Sequence, residues 1–128
     1  MAEIVLKDTH FLVSETDLTG KIRFANDDFC LVAGFTNEEL MGKPHNIVRH
    51  PDMPKAAFKD LWETVKKGKI WTGFVKNRCK KEGDFYWVFA TVYPMMGCAG
   101  NDGGYLSCRR KASNEEIAAA EALYKTMN

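Results

Sequence analysis

The stretch WTGFVKNRCK, residues 71–80, is followed by KEGD and then by FYWVFATVYPM, residues 85–95. Both stretches are rich in β-branched and aromatic residues, which is typical of β-strands. The connection between them is short and contains Gly83, and such connections join neighbouring antiparallel strands. The sequence therefore predicts a β-hairpin over residues 71–95.

Three further strands are predicted outside this hairpin. FLVSETD, residues 11–17, and KIRFA, residues 21–25, are separated by a Thr-Gly turn. In the second of these, Ile22 and Phe24 alternate with charged residues, and this period of two is typical of a half-buried strand. YLSCRRKA, residues 105–112, is the fifth strand. We therefore expect one five-stranded antiparallel sheet.

Short helices are predicted between the second and third strands, and again at the end of the chain. Asn26 can cap a first helix, and a capping box at Thr36 begins a second one. A longer helix follows Pro54, and a second capping box at Ser113 begins a terminal amphipathic helix. This order is α+β, with the short helices on one face of the sheet enclosing a ligand pocket.

The composition is that of an ordinary soluble domain. The chain has 128 residues, of which 45% are apolar, and a net charge of +1, so a general affinity for nucleic acid is not indicated. No apolar run approaches the roughly 20 residues that span a bilayer, and the start lacks the apolar region of a signal peptide. The four cysteines form no C-x-x-C pair and are expected to be reduced, with Cys98 the candidate for an exposed, oxidisable thiol. We expect a cytoplasmic protein without a structural metal.

The stretch GKPHNIVRHPDMPKAAFKDLWETVKKGKIWTGFVKNR, residues 42–78, carries a specific resemblance. It is similar to the FAD-binding PAS domain of the Aer family of bacterial aerotaxis receptors, and a looser PAS pattern covers residues 11–112. The resemblance implies a PAS sensor domain over residues 1–112 and a C-terminal connector or capping helix over residues 113–128. It also implies non-covalent FAD whose redox state, or oxygen-linked electron flow, is reported to a chemotaxis signalling module. The flavin contacts that it implies are Asn26, His45, Arg49, His50, Asp52, Phe58, Trp71 and Asn77.

Within this stretch, Arg49, His50 and Asp52 form a charged cluster ahead of a helix. The Arg49 guanidinium suits bidentate contacts with a phosphate, and His50 adds a hydrogen-bond donor beside it. Asp52 can orient either side chain or cap the helix. The alternative is that Arg49 and Asp52 form a solvent-exposed ion pair around a loop.

Alternate residues of the strand that begins at residue 71 share one face. Trp71, Gly73 and Asn77 supply a ring, a gap and an amide there, which together suit a flat heteroaromatic ligand. The Asn77 amide can both donate and accept a hydrogen bond, as a flavin ring edge requires. Trp71 can also be plain core, and helical spacing already explains Phe58 as core.

Several other functions compete with a flavin sensor. Haem needs a proximal histidine, and His45 or His50 can supply it, although the surrounding run is too polar for a porphyrin wall. A ligand-free PAS module that mediates dimerisation is the alternative from another class. An enzyme is not indicated, because no G-x-G-x-x-G or P-loop run occurs. A light-driven cysteinyl-flavin adduct is not expected either, because Val48 stands where similar photoreceptors place a cysteine.

The face of the hairpin opposite the predicted pocket is rich in aromatic residues. Exposed aromatic patches usually mark an interface, so we expect a signalling domain, a receptor or a second copy of the chain to bind there. The terminal helix can cover part of this face. The small residues Val88, Ala90 and Val92 are expected on the pocket side. The aromatic residues of the outer face are Phe74, Trp87, Phe89 and Tyr93.

Overall fold

A computed structural model describes residues 2–97 and 103–127, and these form one five-stranded antiparallel sheet with helices on both faces. Its strands are β1 (Phe11–Thr16), β2 (Ile22–Ala25), β3 (Trp71–Arg78), β4 (Phe85–Met95) and β5 (Gly104–Lys111). They lie in the order β2-β1-β5-β4-β3, so β5 occupies the centre of the sheet. The five predicted strands and the predicted hairpin are confirmed. The prediction about Cys98 falls outside the described residues.

The helices begin where the sequence places their capping residues. The Asn26 side chain accepts a hydrogen bond from the first turn of the first helix, and capping boxes form at Thr36 and Ser113. The longer helix begins directly after Pro54, which lies at its N-cap. The bounds are α1 (Asp27–Ala33), α2 (Asn37–Leu40), a 3₁₀ helix (His45–Val48), α3 (Lys55–Lys66) and α4 (Asn114–Tyr124).

The connection between α2 and α3 crosses one face of the sheet and covers both of its edges. At one edge, the backbone N–H of Ile22 donates to Lys43 at 2.9 Å. At the other edge, Arg49 forms a bridge to Asn77 of β3. Covered edges protect a sheet from pairing with other chains. The same segment also lies over the inner face of the sheet and covers it.

Two separate apolar clusters occupy the two faces of the sheet. The main core lies on the inner face, where α1, α2 and α3 pack, as the sequence predicts for the short helices. A smaller cluster lies on the outer face, where Trp87 packs with Ala120 of α4. The terminal helix therefore covers part of the aromatic face. None of the helices in the described ranges is long and apolar enough to cross a membrane.

Candidate functional site

A cavity of about 350 Å³ lies between the inner face of the sheet, the 3₁₀ helix and α3. This volume falls within the range of small-molecule sites. Its floor extends from β3 to β1 across four neighbouring strands, a width of roughly 14 Å at the usual strand spacing. The lining residues are Thr16, Thr19, Gly20, Pro44, His45, Asn46, Val48, Arg49, Phe58, Leu61, Trp62, Val75, Asn77, Ala90, Val92, Tyr105, Ser107 and Arg109.

Arg109 is the buried charged group of this cavity. Arg109 is only 4% exposed, and its Nη2 donates a hydrogen bond to Ser14 Oγ at 3.0 Å. The same nitrogen lies 2.8 Å from Nε2 of His45, and the guanidinium lies 5.1 Å from the centre of the Phe29 ring. Nη1 has no hydrogen-bond partner. A buried cation with an unused donor beside a cavity indicates an anionic or acceptor-rich ligand.

The hydrogen bonds around Arg109 fix the protonation state of His45. A guanidinium only donates hydrogen bonds, so His45 Nε2 accepts and the ring is neutral with its proton on Nδ1. Burial first, and then the charge of Arg109, lower the pKa of His45 from 6.5 to about 3. Burial also lowers the pKa of Arg109 to about 10, which leaves the guanidinium charged at neutral pH.

The neutral state of His45 makes the domain sensitive to mild acid. Below pH 6.5 the unfolded chain takes up a proton at His45, which the folded state resists down to about pH 3. The contribution of neutral His45 to the free energy of unfolding is therefore fully present above pH 6.5, and it is lost as the pH falls from 6.5 towards 3. We expect a loss of about 1–2 kcal/mol between pH 7.5 and pH 5, measured by urea unfolding. His45→Gln should remove most of this slope.

His50→Gln is the matched control for that experiment, because burial also lowers the pKa of His50 but its ring is more accessible to solvent. It should remove a smaller part of the slope than His45→Gln. A slope that is unchanged in His45→Gln would contradict the neutral state assigned to His45.

Arg49 supplies a second positive charge to the cavity. Its guanidinium carbon lies 3.8 Å from the centre of the Phe58 ring, a cation–π contact that holds the side chain against α3. No ion pair among the described residues involves Arg49 or Arg109, and no carboxylate lines the cavity. The pocket is therefore positively charged and suited to a ligand that carries acceptor or anionic groups.

Asn77 lies at the β3 end of the cavity and is 4% exposed. Its amide nitrogen makes one long contact, 3.5 Å, with the hydroxyl of Tyr86. Tyr86 is fully buried, and burial raises its pKa to about 12, so the hydroxyl stays protonated. A hydrogen bond of this length is weak, and the Asn77 amide can exchange it for a better one with a ligand.

Four residues named by the sequence lie in the cavity wall, and four do not. The residues His45, Arg49, Phe58 and Asn77 are brought together there.

The Asn26 side chain has a structural role instead of lining the cavity. Its side-chain oxygen accepts from the backbone N–H groups of Val13 and Phe29, at 3.1 and 3.0 Å. Its amide nitrogen donates to a backbone carbonyl at 2.8 Å, so the whole side chain is occupied in joining α1 to β1.

His50 and Asp52 separate from Arg49 and lie at the sheet edge, not in the cavity wall. The Asp52 carboxylate pairs with Lys76 Nζ at 2.9 Å, and this hydrogen bond lowers the Asp52 pKa. The His50 ring lies edge-on to Phe85 with the ring centres 6.0 Å apart. The predicted three-residue cluster is therefore divided, because the backbone at Arg49 pairs with β3 and turns the next side chains away.

Trp71 lies on the inner face as predicted, but outside the cavity wall. Its Nε1 donates to Asp60 of α3 at 2.9 Å, and the residue is 7% exposed. The indole fills the space above Gly73, because a Cβ atom there would lie 2.4 Å from the ring. The gap that Gly73 was expected to leave for a ligand is therefore occupied by Trp71 itself.

The sequence reasoning missed the β5 side of the cavity. Tyr105, Ser107 and Arg109 all line it. A signal was present, since alternate residues of YLSCRRKA share one face. Because arginine is seldom buried without a carboxylate partner, the inward position of Arg109 was the signal that could have indicated a site.

An antiparallel sheet that holds a cavity beneath short helices defines a class of small α+β ligand-sensing domains. The chain belongs to the PAS family, because residues 22–106 match the family model described as the PAS fold.

The relatives agree with this assignment. The chain is 56% identical to the aerotaxis receptor of Escherichia coli over 96% of its length, and it spans 24% of that receptor. It is 25% identical to the nitrogen fixation regulatory protein of Klebsiella pneumoniae, covering 79% of this chain and 20% of the relative. The resemblance to aerotaxis receptors that the sequence predicted is confirmed.

Solved structures share the fold at lower identity. A PAS domain from Colwellia psychrerythraea superposes with a TM-score of 0.70 and 23% identity, covering 81% of this chain and 87% of that one. The dark structure of the blue-light photoreceptor Aureochrome1 LOV superposes with a TM-score of 0.72 and 17% identity, covering 91% and 85%. At these identities the likeness concerns the fold alone.

Proposed function

We propose that this domain binds a flavin, FAD, and acts as the sensor of an aerotaxis or energy-taxis signalling protein. The observation that carries this proposal is Arg109, which lines a cavity without carboxylates and whose buried guanidinium has an N–H group without a partner. The 56% identity to an aerotaxis receptor supports the same proposal. The domain reports redox state or oxygen-linked electron flow through protein contacts and is not itself a catalyst.

The residues of the cavity fit the parts of a flavin. Val75, Ala90 and Val92 give the floor a smooth apolar surface for a flat ring system. Arg109 and Asn77 offer hydrogen bonds to polar atoms of the ring. Arg49 carries a charge suited to the pyrophosphate of FAD. Bound flavin supplies the electron chemistry, and the residues hold it and exclude water.

The signal is proposed to leave through the sheet. Asn77 faces the cavity, while Phe74 of the same strand faces outward, and the Tyr124 hydroxyl of α4 donates to the Phe74 carbonyl at 2.5 Å. A ligand shifts an equilibrium only by its differential affinity for two states. We propose that the Asn77 amide changes its hydrogen bonding when the ring edge of the flavin gains a proton. This change would shift the conformational equilibrium of β3 and, through β3, that of the outer face that α4 covers.

The partner is proposed to be a chemotaxis-type signalling domain or receptor that binds this outer face. Trp87 is buried in the cluster that α4 covers, and Phe74 packs against this cluster. Phe74, Phe89 and Tyr93 are all only partly buried. A second copy of the chain is the other partner consistent with this patch.

The first test is the colour of the purified protein. Protein that carries flavin is yellow, and heat should release FAD that chromatography identifies. A Soret band would favour haem, although its binding through His45 would have to break the Arg109 and Ser14 contacts of Nε2. Colourless protein that binds no added flavin would favour the ligand-free dimerisation module and overturn the proposal.

Blue light should produce no adduct between the flavin and the protein. Val48 lines the cavity, is 1% exposed and has no nucleophilic atom. Illumination without an electron donor should therefore leave the visible flavin spectrum unchanged. A bleached spectrum that recovers thermally would contradict this and show that one of the cysteines reaches the ring. Val48→Cys is the positive control, since it places a thiol in the cavity wall.

A further inference from the structure

Thr16, the last residue of β1, carries a buried hydroxyl that no protein group satisfies. The residue is 5% exposed, and its Oγ1 makes no hydrogen bond. Across the described part of the chain, the only other buried side-chain atom without a partner is Nη1 of Arg109. Both residues line the same cavity. Buried polar atoms in native proteins nearly always have a partner, so two unpaired atoms at one cavity indicate a group that binds both.

The two unpaired atoms lie over neighbouring positions of the sheet. Arg109 is paired with Leu12 of β1, but its guanidinium extends along the sheet to the Ser14 hydroxyl. Ser14 and Thr16 are successive inward residues of β1, and such residues are about 7 Å apart along a strand. One ring system therefore has the size to contact the Arg109 and Thr16 groups together.

The strand next to Thr16 is irregular, but Thr16 itself is not. The register between β1 and β2 shifts because Arg23 of β2 is skipped between the residues that pair with Glu15 and Thr16. Towards β5 the ladder of β1 stays regular, and Thr16 pairs with Tyr105. Thr16 therefore follows the alternation of β1 and lies on the same inner face as Ser14.

We propose that Thr16 is a recognition residue for the ring of the bound flavin, with its hydroxyl bonded to a polar ring atom beside the one that meets Arg109 Nη1. The identity of the ligand rests on the proposed function. A threonine hydroxyl both donates and accepts, whereas a guanidinium only donates, so the two groups fit adjacent ring atoms of different hydrogen-bonding character. Thr16 thereby sets how the ring lies in the cavity.

The test compares Thr16→Val with wild type in the full 128-residue chain. Valine keeps the shape of threonine and has a methyl group in place of the hydroxyl. The probe is lumiflavin, which has the ring system without the side chain and so reports ring contacts alone. Fluorescence quenching should show affinity reduced about three- to tenfold, the usual worth of one neutral hydrogen bond. Thr16→Ser, which keeps the hydroxyl, should bind more tightly than Thr16→Val.

Thr91→Val is the matched control, because Thr91 lies on the outer face of β4 and outside the cavity wall. It should leave lumiflavin affinity within twofold of wild type. A second readout separates recognition from folding: without ligand, Thr16→Val should raise the melting temperature, because it removes an unpaired buried hydroxyl. A variant that both folds less stably and binds less tightly would point to a structural role instead.

Wild-type affinity in Thr16→Val would overturn the inference and leave the proposed function intact. Wild-type protein that binds neither lumiflavin nor FAD would overturn the proposed function itself, so the two failures are distinguishable.

Discussion

Replacing Arg109 with methionine is expected to weaken flavin binding about 10- to 100-fold. A hydrogen bond from a charged group is worth about 1.5–3 kcal/mol, which corresponds to this range of affinity. Arg109 is 4% exposed and holds His45 and Ser14 through Nη2, while Nη1 remains for the ligand. Methionine keeps a long unbranched side chain in the same space without the charge. The measurements are the flavin content of purified protein and the dissociation constant from fluorescence quenching.

Arg110→Met is the matched control for this experiment. Arg110 follows Arg109 on β5 but lies on the outer face, where its guanidinium is 4.5 Å from the centre of the Phe89 ring. Its removal should leave flavin affinity unchanged. Flavin loss in Arg110→Met, with retention in Arg109→Met, would mean that the ligand binds the opposite face of the sheet.

The regular parts of this fold could be predicted because local patterns decide them. The hairpin over residues 71–95 follows from two apolar strands and a short turn. The boundaries of α1 and α4 follow from Asn26 and Ser113, whose side chains accept hydrogen bonds from the first helical turn. The two faces of β4 follow from the period of two, which places Ala90 and Val92 in the cavity wall, whereas Val88 on the same face is fully buried in the core outside that wall.

The candidate site could be predicted only in part, because contacts between distant segments decide it. Spacing brought Arg49 and His50 together in the sequence, but the bridge from Arg49 to Asn77 separates their side chains. Periodicity placed Trp71 on the correct face, yet the direction of its ring depends on Asp60 of α3. The alternation of β5 could have placed Arg109 on the inner face, but its contact with His45, 64 residues away in the chain, follows from no local pattern.

Replacing Trp87 with alanine is expected to lower the free energy of unfolding by about 3–5 kcal/mol, the usual loss for a large buried aromatic side chain. Trp87 is 6% exposed and stacks on Tyr124 of α4, with the ring centres 6.4 Å apart and the planes 14° from parallel. The cavity lies on the other face of the sheet, so the flavin affinity of the folded fraction should remain unchanged. Urea unfolding measures the first quantity, and fluorescence quenching the second.

The loss should begin in α4, because a helix of 11 residues is marginal in water without a surface to pack on. Hydrogen exchange over residues 114–124 should therefore become faster in Trp87→Ala than exchange in the rest of the domain. Tyr124→Phe is the matched control: it keeps the stacked ring and removes only the hydrogen bond to the Phe74 carbonyl, so it should cost about 1 kcal/mol. If Trp87→Ala instead releases the flavin while α4 stays protected, the outer face is the ligand face, and the assignment of the two sides of the sheet is reversed.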